Sequence, residues 1–177
     1  LYVCASAAAI GTDDFKIPSA NASANIVEEP KPLGTAGGLR LLKNKLTKPF
    51  IVTNCDTIID VNLEDLMKFH IENSNDLTLI ASSKEHIIPY GTCKLTKQGK
   101  LQKIIEKPKF DFLINVGMYV LNHNLIKLIP KNKSYDMTDF IQLLKVKKKQ
   151  VGIFPIDDTA WVDVGQWSEY HKAVDRL

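Results

Sequence analysis

Apolar residues fall along this chain in two rhythms. Short unbroken runs bounded by Pro, Gly, Asn or Asp predict buried strands, and runs spaced by three or four predict helices. Residues 1–4 read as a short buried strand. The Ala- and Ser-rich stretch 5–24, which holds Pro18, reads as one weak helix and a loop. Residues 25–28 form a short strand. A Pro-rich turn then leads into Gly34-Thr35-Ala36-Gly37-Gly38, which opens a helix to about Leu46, with Thr35 as N-cap and Leu39, Leu42 and Leu46 on one face. Phe50-Ile-Val-Thr53 follows Pro49 and stops at Asn54-Cys55-Asp56, as a buried parallel strand does. Asn62 caps a helix whose inner face is Leu63, Leu66, Met67 and His70. Asp76 precedes a strand over 77–81.

The rhythm then changes. Residues 91–95 and 101–106 predict strands joined by a polar turn at Lys97-Gln98-Gly99. A strand over 114–121 follows, then a short helix over 124–128 that stops before Pro130. Met137, Phe140, Ile141 and Leu144 mark a helix over 137–146. Strands over 151–154 and 161–164 and a helix over 166–174 complete the chain. The alternation, broken by one hairpin, predicts an α/β sheet with one antiparallel insertion. No repeat or long linker divides it, so residues 1–177 read as one domain.

Composition narrows the function. The chain has 177 residues, 45% hydrophobic and 24% charged, which is globular usage and excludes a disordered chain. A net charge of +3 is too small to argue for nucleic acid or a membrane surface, and neither is expected as partner. The run Lys145, Lys147, Lys148 and Lys149 suits a helix C-terminus. Cys4, Cys55 and Cys93 form no C-x-x-C pair, and Cys55 and Cys93 read as small buried residues. A reducing, cytoplasmic compartment is expected. His70, His86, His123 and His171 lack metal-ligand spacing, and no apolar stretch is long enough for a spanning helix.

Four places carry candidate chemistry. Asp56 follows a buried strand, where open α/β sheets bind ligands, so it could hold a metal or a ribose, or open a turn with Asn54. Asp60 reads as part of the next helix start. The Gly34–Gly38 segment is neither G-x-G-x-x-G nor a P-loop. Its glycines allow close ligand approach and its helix N-terminus suits an anion or a polar base edge, but taken alone a plain tight turn explains it better. Glu106-Lys107-Pro108 offers an acceptor for vicinal sugar hydroxyls and a cation for phosphate, or an ordinary strand-end pair. Asp163, flanked by apolar residues, needs a cation, a metal or strong donors.

In order, these segments resemble the sugar nucleotidyltransferases (nucleoside-diphosphate-sugar pyrophosphorylases). The resemblance covers Asn25 onward. It rests on Glu29-Pro-Lys-Pro-Leu-Gly-Thr-Ala-Gly37, Val52-Thr-Asn-Cys-Asp56, Tyr90-Gly91, Ile105-Glu-Lys-Pro108, Asn115-Val-Gly-Met-Tyr119 and Trp161-Val-Asp-Val-Gly165. The branch most similar activates mannose-1-phosphate, glucosamine-1-phosphate or heptose-1-phosphate with GTP. The resemblance implies a Rossmann-like fold, a three-layer α/β/α domain with a mixed sheet, and transfer of GMP from a nucleoside triphosphate to a sugar-1-phosphate, with release of pyrophosphate. It implies Mg²⁺ at Asp56 and Asp163. It places Gly34 and Thr35 along the base and ribose, and Asn54, Tyr90 and Gly91 around the substrates. Glu106 and Asn115 would hold sugar hydroxyls, and Lys107 the sugar phosphate. Phosphoryl-type transfer needs positioning and charge neutralisation, not a protein nucleophile, so the lack of a Ser–His or Cys–His pair is no objection.

Two departures stand out. The family usually has Gly where this chain has Cys55. The family also begins with a strand, G-x-G-x-R and a later Pro-Lys-Pro that cradle the triphosphate. Pro30-Lys31-Pro32 is not that motif, because it directly precedes Leu33-Gly34-Thr35. The chain is therefore expected to lack the first strand, phosphate loop and first helix, and to self-associate through open strand edges. Two rival functions are a glycosyltransferase, for which Asn54-Cys55-Asp56 lacks the first acid of a D-x-D, and a non-catalytic nucleotide-sugar-binding module. Reading the frame upstream of Leu1 for G-x-G-x-R discriminates the enzyme from the module. Incubated with GTP, Mg²⁺ and sugar phosphates, the chain alone is expected to release no pyrophosphate; robust turnover would overturn the need for that loop.

Overall fold

The longest apolar runs of the chain lie side by side. The computed structural model describes residues 2–3 and 27–163. The elements in chain order are β1 (Tyr2–Val3), α1 (Gly34–Gly37), β2 (Phe50–Thr53), β3 (Thr57–Ile59), α2 (Leu63–Glu72) and β4 (Leu77–Ile87). They continue with β5 (Thr92–Leu95), β6 (Leu101–Ile105), β7 (Lys109–Leu121), α3 (Met137–Val146), β8 (Val151–Ile156) and β9 (Trp161–Asp163). Five strands form one sheet in the order β1-β2-β7-β4-β8. β1 runs parallel to β2, and β8 parallel to β4, while β7 is antiparallel to both of its neighbours. Two two-stranded ribbons, β3–β9 and β5–β6, complete the set among the described residues.

Alternation along the strands splits the core between the two faces. Phe50 and Val52 of β2 pack with Leu39 and Leu42, with Phe140 and Leu144 of α3, and with Leu121. Ile51, between them, packs with Leu66 of α2 and with Ile80, Val116 and Val120. Helical structure therefore covers both faces, giving the expected α/β/α layering of a mixed sheet. Among the described residues no helix is long and apolar enough to cross a membrane.

Several local readings change. α1 is a single turn, continued by a 3-10 turn over Gly38–Leu42, so it stops short of Leu46. Its N-cap residue is Leu33, not Thr35. Asn62 caps α2 as expected, its Oδ1 accepting from the backbone N–H groups of Glu64 (2.9 Å) and Asp65 (3.3 Å). Leu63 is 41% exposed, so the inner face of α2 begins at Leu66. Asp60 takes no part in that cap; its N–H donates to the Ala160 carbonyl at 2.8 Å. Residues 124–128 form part of a 3-10 turn, His123–Leu128. Residues 27–28 carry no strand. β4 and β7 run past their buried segments: residues 83–87 pair with 109–113 as an exposed ribbon, where Lys109 meets Glu85 at 3.3 Å. Cys55 and Cys93 are exposed, because one lies in a turn and the other on a ribbon with no covering layer. The expected helices over 5–24 and 166–174, residues 25–26, residue 164, and Cys4 and His171 lie outside the described residues.

One polar cluster is buried between α2, β4 and the end of β7. His70 is 1% exposed. Its Nδ1 lies 2.9 Å from Thr78 Oγ1 and its Nε2 3.3 Å from Asn122 Oδ1. Asn122 Nδ2 donates to the Asn75 carbonyl and Asn75 Nδ2 to Thr78 Oγ1, both at 3.0 Å. A carbonyl only accepts, so the Asn122 amide must turn its oxygen to His70. His70 therefore carries its proton on Nε2, and Nδ1 accepts from the Thr78 hydroxyl. Burial holds the imidazole below its usual range, against weaker upward pulls from the Asn122 hydrogen bond and the Asp76 charge. The folded state keeps His70 neutral, while the unfolded chain protonates it near pH 6.5. Its stability contribution is thus complete above that pH and lost as pH falls through the window below it. Urea denaturation from about pH 7 to about pH 5 is expected to show stability falling with acid, with a shallower fall in His70→Gln. His70→Ala is expected to cost about 2–4 kcal/mol at pH 7, since Thr78 and Asn122 lose a buried partner.

Candidate active site

The site begins where β2 ends. Asn54, Cys55 and Asp56 are exposed in the turn that leads to β3. β3 pairs with β9, and the register is set by Ile59 opposite Trp161, both packed against the α2-side cluster. Two residues along, Thr57 stands opposite Asp163. Asp56 precedes that pair by one residue. Two carboxylates far apart in sequence therefore share one end of one ribbon. Asp163 is half-buried and already has an interaction partner. Among the described residues no group of three His, Cys, Asp or Glu side chains is placed to hold a metal. Two carboxylates do suit Mg²⁺, which binds through one or two protein carboxylates together with substrate phosphates and water.

A bulge in β7 shapes the neighbouring surface. Leu79 pairs with Tyr119, but Ala81 pairs with Asn115, so two residues of β4 face four of β7. Gly117 lies inside this bulge with φ +82°. Its carbonyl accepts from the Asn54 N–H at 3.0 Å. A Cβ at Gly117 would lie 2.6 Å from Asn54 Nδ2. In a regular strand, residues 115 and 119 would stand about 13 Å apart. Here Asn115 Nδ2 donates to Tyr119 Oη at 2.7 Å, and Asn115 Oδ1 accepts from the Gly117 N–H at 3.2 Å. Those two bonds fix which way the exposed Asn115 amide faces. Burial pushes the Tyr119 hydroxyl pKa up, with the Asn115 bond opposing it, so the phenol stays neutral.

The β5–β6 ribbon brings a third pair together. Thr92 opposite Ile105 sets Gly91 beside Glu106, and a Cβ on Gly91 would lie 2.9 Å from Glu106 Oε2. Tyr90 is 73% exposed. Lys107 sits in the left-handed region at φ +43°, unusual for a residue with a side chain. It is held between Glu106 and the buried Pro108, whose carbonyl accepts from the Ile88 N–H at 3.1 Å. Glu106 and Lys107 thus stand exposed on a sharp turn into β7.

Gly34 and Thr35 lie elsewhere, against the N-terminus of α3. The Thr35 N–H donates to Asp136 Oδ1 at 3.2 Å. The N–H groups of Ala36 and Gly37 both donate to the Tyr135 carbonyl at 3.0 Å. Three first-turn amides of α1 are therefore committed within the protein, so the turn is no open cradle for an anion. Gly34 has φ +75°, and a Cβ there would lie 2.6 Å from Asp136 Oδ1, so glycine is required on both counts. Sequence reasoning assigned no role in the site to Gly117, Tyr119 or Asp136, although the first two stand in the motif Asn115-Val-Gly-Met-Tyr119. A glycine inside the apolar run around Val116 was the one available signal for the bulge. Gly117→Ala is expected to lower stability by about 2 kcal/mol or more, measured by urea denaturation, because it strains the backbone and displaces Asn54.

Known proteins resemble this chain in sequence and in fold. Residues 9–177 match the nucleotidyl transferase family. The mannose-1-phosphate guanyltransferase of Yarrowia lipolytica is 35% identical over 151 residues, covering 80% of this chain and 40% of that protein. The mannose-1-phosphate guanyltransferase of Saccharomyces cerevisiae is 32% identical over 150 residues, covering 80% of this chain and 41% of that one. The chain thus spans about 40% of the length of these curated relatives. HddC from Yersinia pseudotuberculosis, solved also in complex with GMP-PN, shares the fold with a TM-score of 0.60 at 22% identity, over 84% of this chain and 64% of that one. The match across residues 9–177 shows that this chain belongs to the nucleotidyl transferase family.

Proposed function

We propose that the chain carries the sugar-phosphate and metal-binding part of a guanylyltransferase that converts mannose-1-phosphate and GTP to GDP-mannose and pyrophosphate. The observation that carries this reading is the β3–β9 register, which sets Asp56 beside the Thr57–Asp163 pair. The names of the relatives supply the choice of mannose and guanine.

In this reading Asp56 and Asp163 would hold Mg²⁺. When bound, the ion would neutralise phosphate charge and orient the reacting groups. Glu106, lying over Gly91, accepts hydrogen bonds from vicinal sugar hydroxyls. The oriented Asn115 amide meets a further hydroxyl. Lys107, fixed at its turn, offsets the charge of the sugar phosphate. Asn54 and Tyr90 border the substrates, and Gly34 and Thr35 lie along the base and ribose. A phosphate oxygen of the sugar attacks the α-phosphorus of GTP, the new P–O bond forms, and the α–β bridge breaks to release pyrophosphate. No side chain has to become covalently bonded; the residues hold the two phosphates in line and lower their repulsion. The exposed thiols of Cys55 and Cys93 fit a reducing, cytoplasmic setting.

Calorimetric titration tests the reading. The chain is expected to bind mannose-1-phosphate, and GDP-mannose more tightly in the presence of Mg²⁺. Asp56→Asn should remove most of the Mg²⁺-dependent gain, and Lys107→Ala should weaken mannose-1-phosphate binding about tenfold. Failure of the wild-type chain to bind either compound would sink the assignment.

A further inference from the structure

Two short helices cap each other. Thr35, in the first turn of α1, donates its backbone N–H to the Asp136 carboxylate at 3.2 Å. Its Oγ1 accepts from the Met137 N–H, the first amide of α3, at 2.8 Å. Asp136 is the residue before α3, yet its side chain makes no cap bond to its own helix. It serves α1 instead, while Thr35 serves α3. The Tyr135 N–H adds a bond to the Leu33 carbonyl at 2.8 Å, and the Tyr135 carbonyl takes the Ala36 and Gly37 amides.

This clasp matters because α1 cannot hold itself. It has four residues, two of them glycine, and more glycine follows. A single helical turn fixes many dihedrals for few hydrogen bonds and is not stable alone. Gly34 also needs its left-handed backbone, which a free glycine adopts only part of the time. A ligand landing on a loose turn would have to order it, at a cost to affinity. The segment 135–137 removes that cost in advance.

We infer that Asp136 is a positioning residue for nucleotide binding, holding the Gly34–Gly38 turn in its bound form through a reciprocal cap with Thr35. This rests on the proposed function, in which that turn faces the base and ribose. The carboxylate acts through the Thr35 amide and needs no contact with the ligand. The selectivity of the effect follows: the guanosine end of the ligand depends on the clasp, and the sugar end, held by Glu106, Lys107 and Asn115, does not.

The experiment compares wild type, Asp136→Ala and Asp136→Asn by calorimetry with GDP-mannose and with mannose-1-phosphate. Hydrogen exchange at the amides of Thr35, Ala36 and Gly37 is followed on the same samples. Asp136→Ala is expected to weaken GDP-mannose binding about fivefold, leave mannose-1-phosphate affinity unchanged and speed exchange at those amides. Asp136→Asn keeps an acceptor oxygen, so it should recover most of the loss. Equal GDP-mannose affinity in wild type and Asp136→Ala overturns the inference, as does an equal loss for both ligands, which would mark a general packing defect. If wild type binds neither compound, the functional reading itself fails and the inference with it.

Discussion

The pairing of β7 with its two neighbours is the constraint on which the structure depends. β7 is the only strand that touches both β2 and β4 among the described residues, and its C-terminal half is buried throughout. It cannot shift by one residue, because Val116, Met118 and Val120 would trade faces with Tyr119 and Leu121. A two-residue excess in β7 is therefore confined to one spot, around Gly117. That spot faces the end of β2, where Asn54 leads to Asp56. The rigidity of the core and the irregularity of the site are consequences of the same register.

Around this centre, each candidate site residue is held by something other than itself. Asp56 and Asp163 are placed by the packing of Ile59 and Trp161 beneath them. Glu106 is set over Gly91 by the pairing of a ribbon that has little core of its own. Asn115 is oriented by Tyr119, which the core holds at 5% exposure. The glycine-rich turn is closed by the α3 entry. Such indirect support suits a reaction that relies on placement and charge and uses no protein nucleophile.

Much of this was legible in the residues. The apolar runs at 50–53, 77–81 and 114–121 became sheet strands, and the 137–146 spacing became α3 with its bounds intact. Asn62 capped α2 through its carboxamide as its residue type foretold. What failed had local causes. The helix after Gly34 shrank, since glycine and a tertiary clasp competed with helical continuation. The exposed outer halves of β4 and β7 escaped notice because they are held by each other and bury no apolar face. Cys55 and Cys93 were read as buried from residue type alone, and their setting overruled it.

The sequence by itself determined the main sheet strands, the helices α2 and α3 and the chemical types at the candidate site, because hydrophobic period and cap chemistry are local properties. Only the tertiary structure decided which of those types meet. The ribbon register that joins Asp56 to Asp163, the bulge that turns Asn115 to Tyr119, and the exchange of caps between Thr35 and Asp136 each link segments distant in the chain. Such links arise from packing and register, where one residue of slip changes every contact, and no local pattern encodes them.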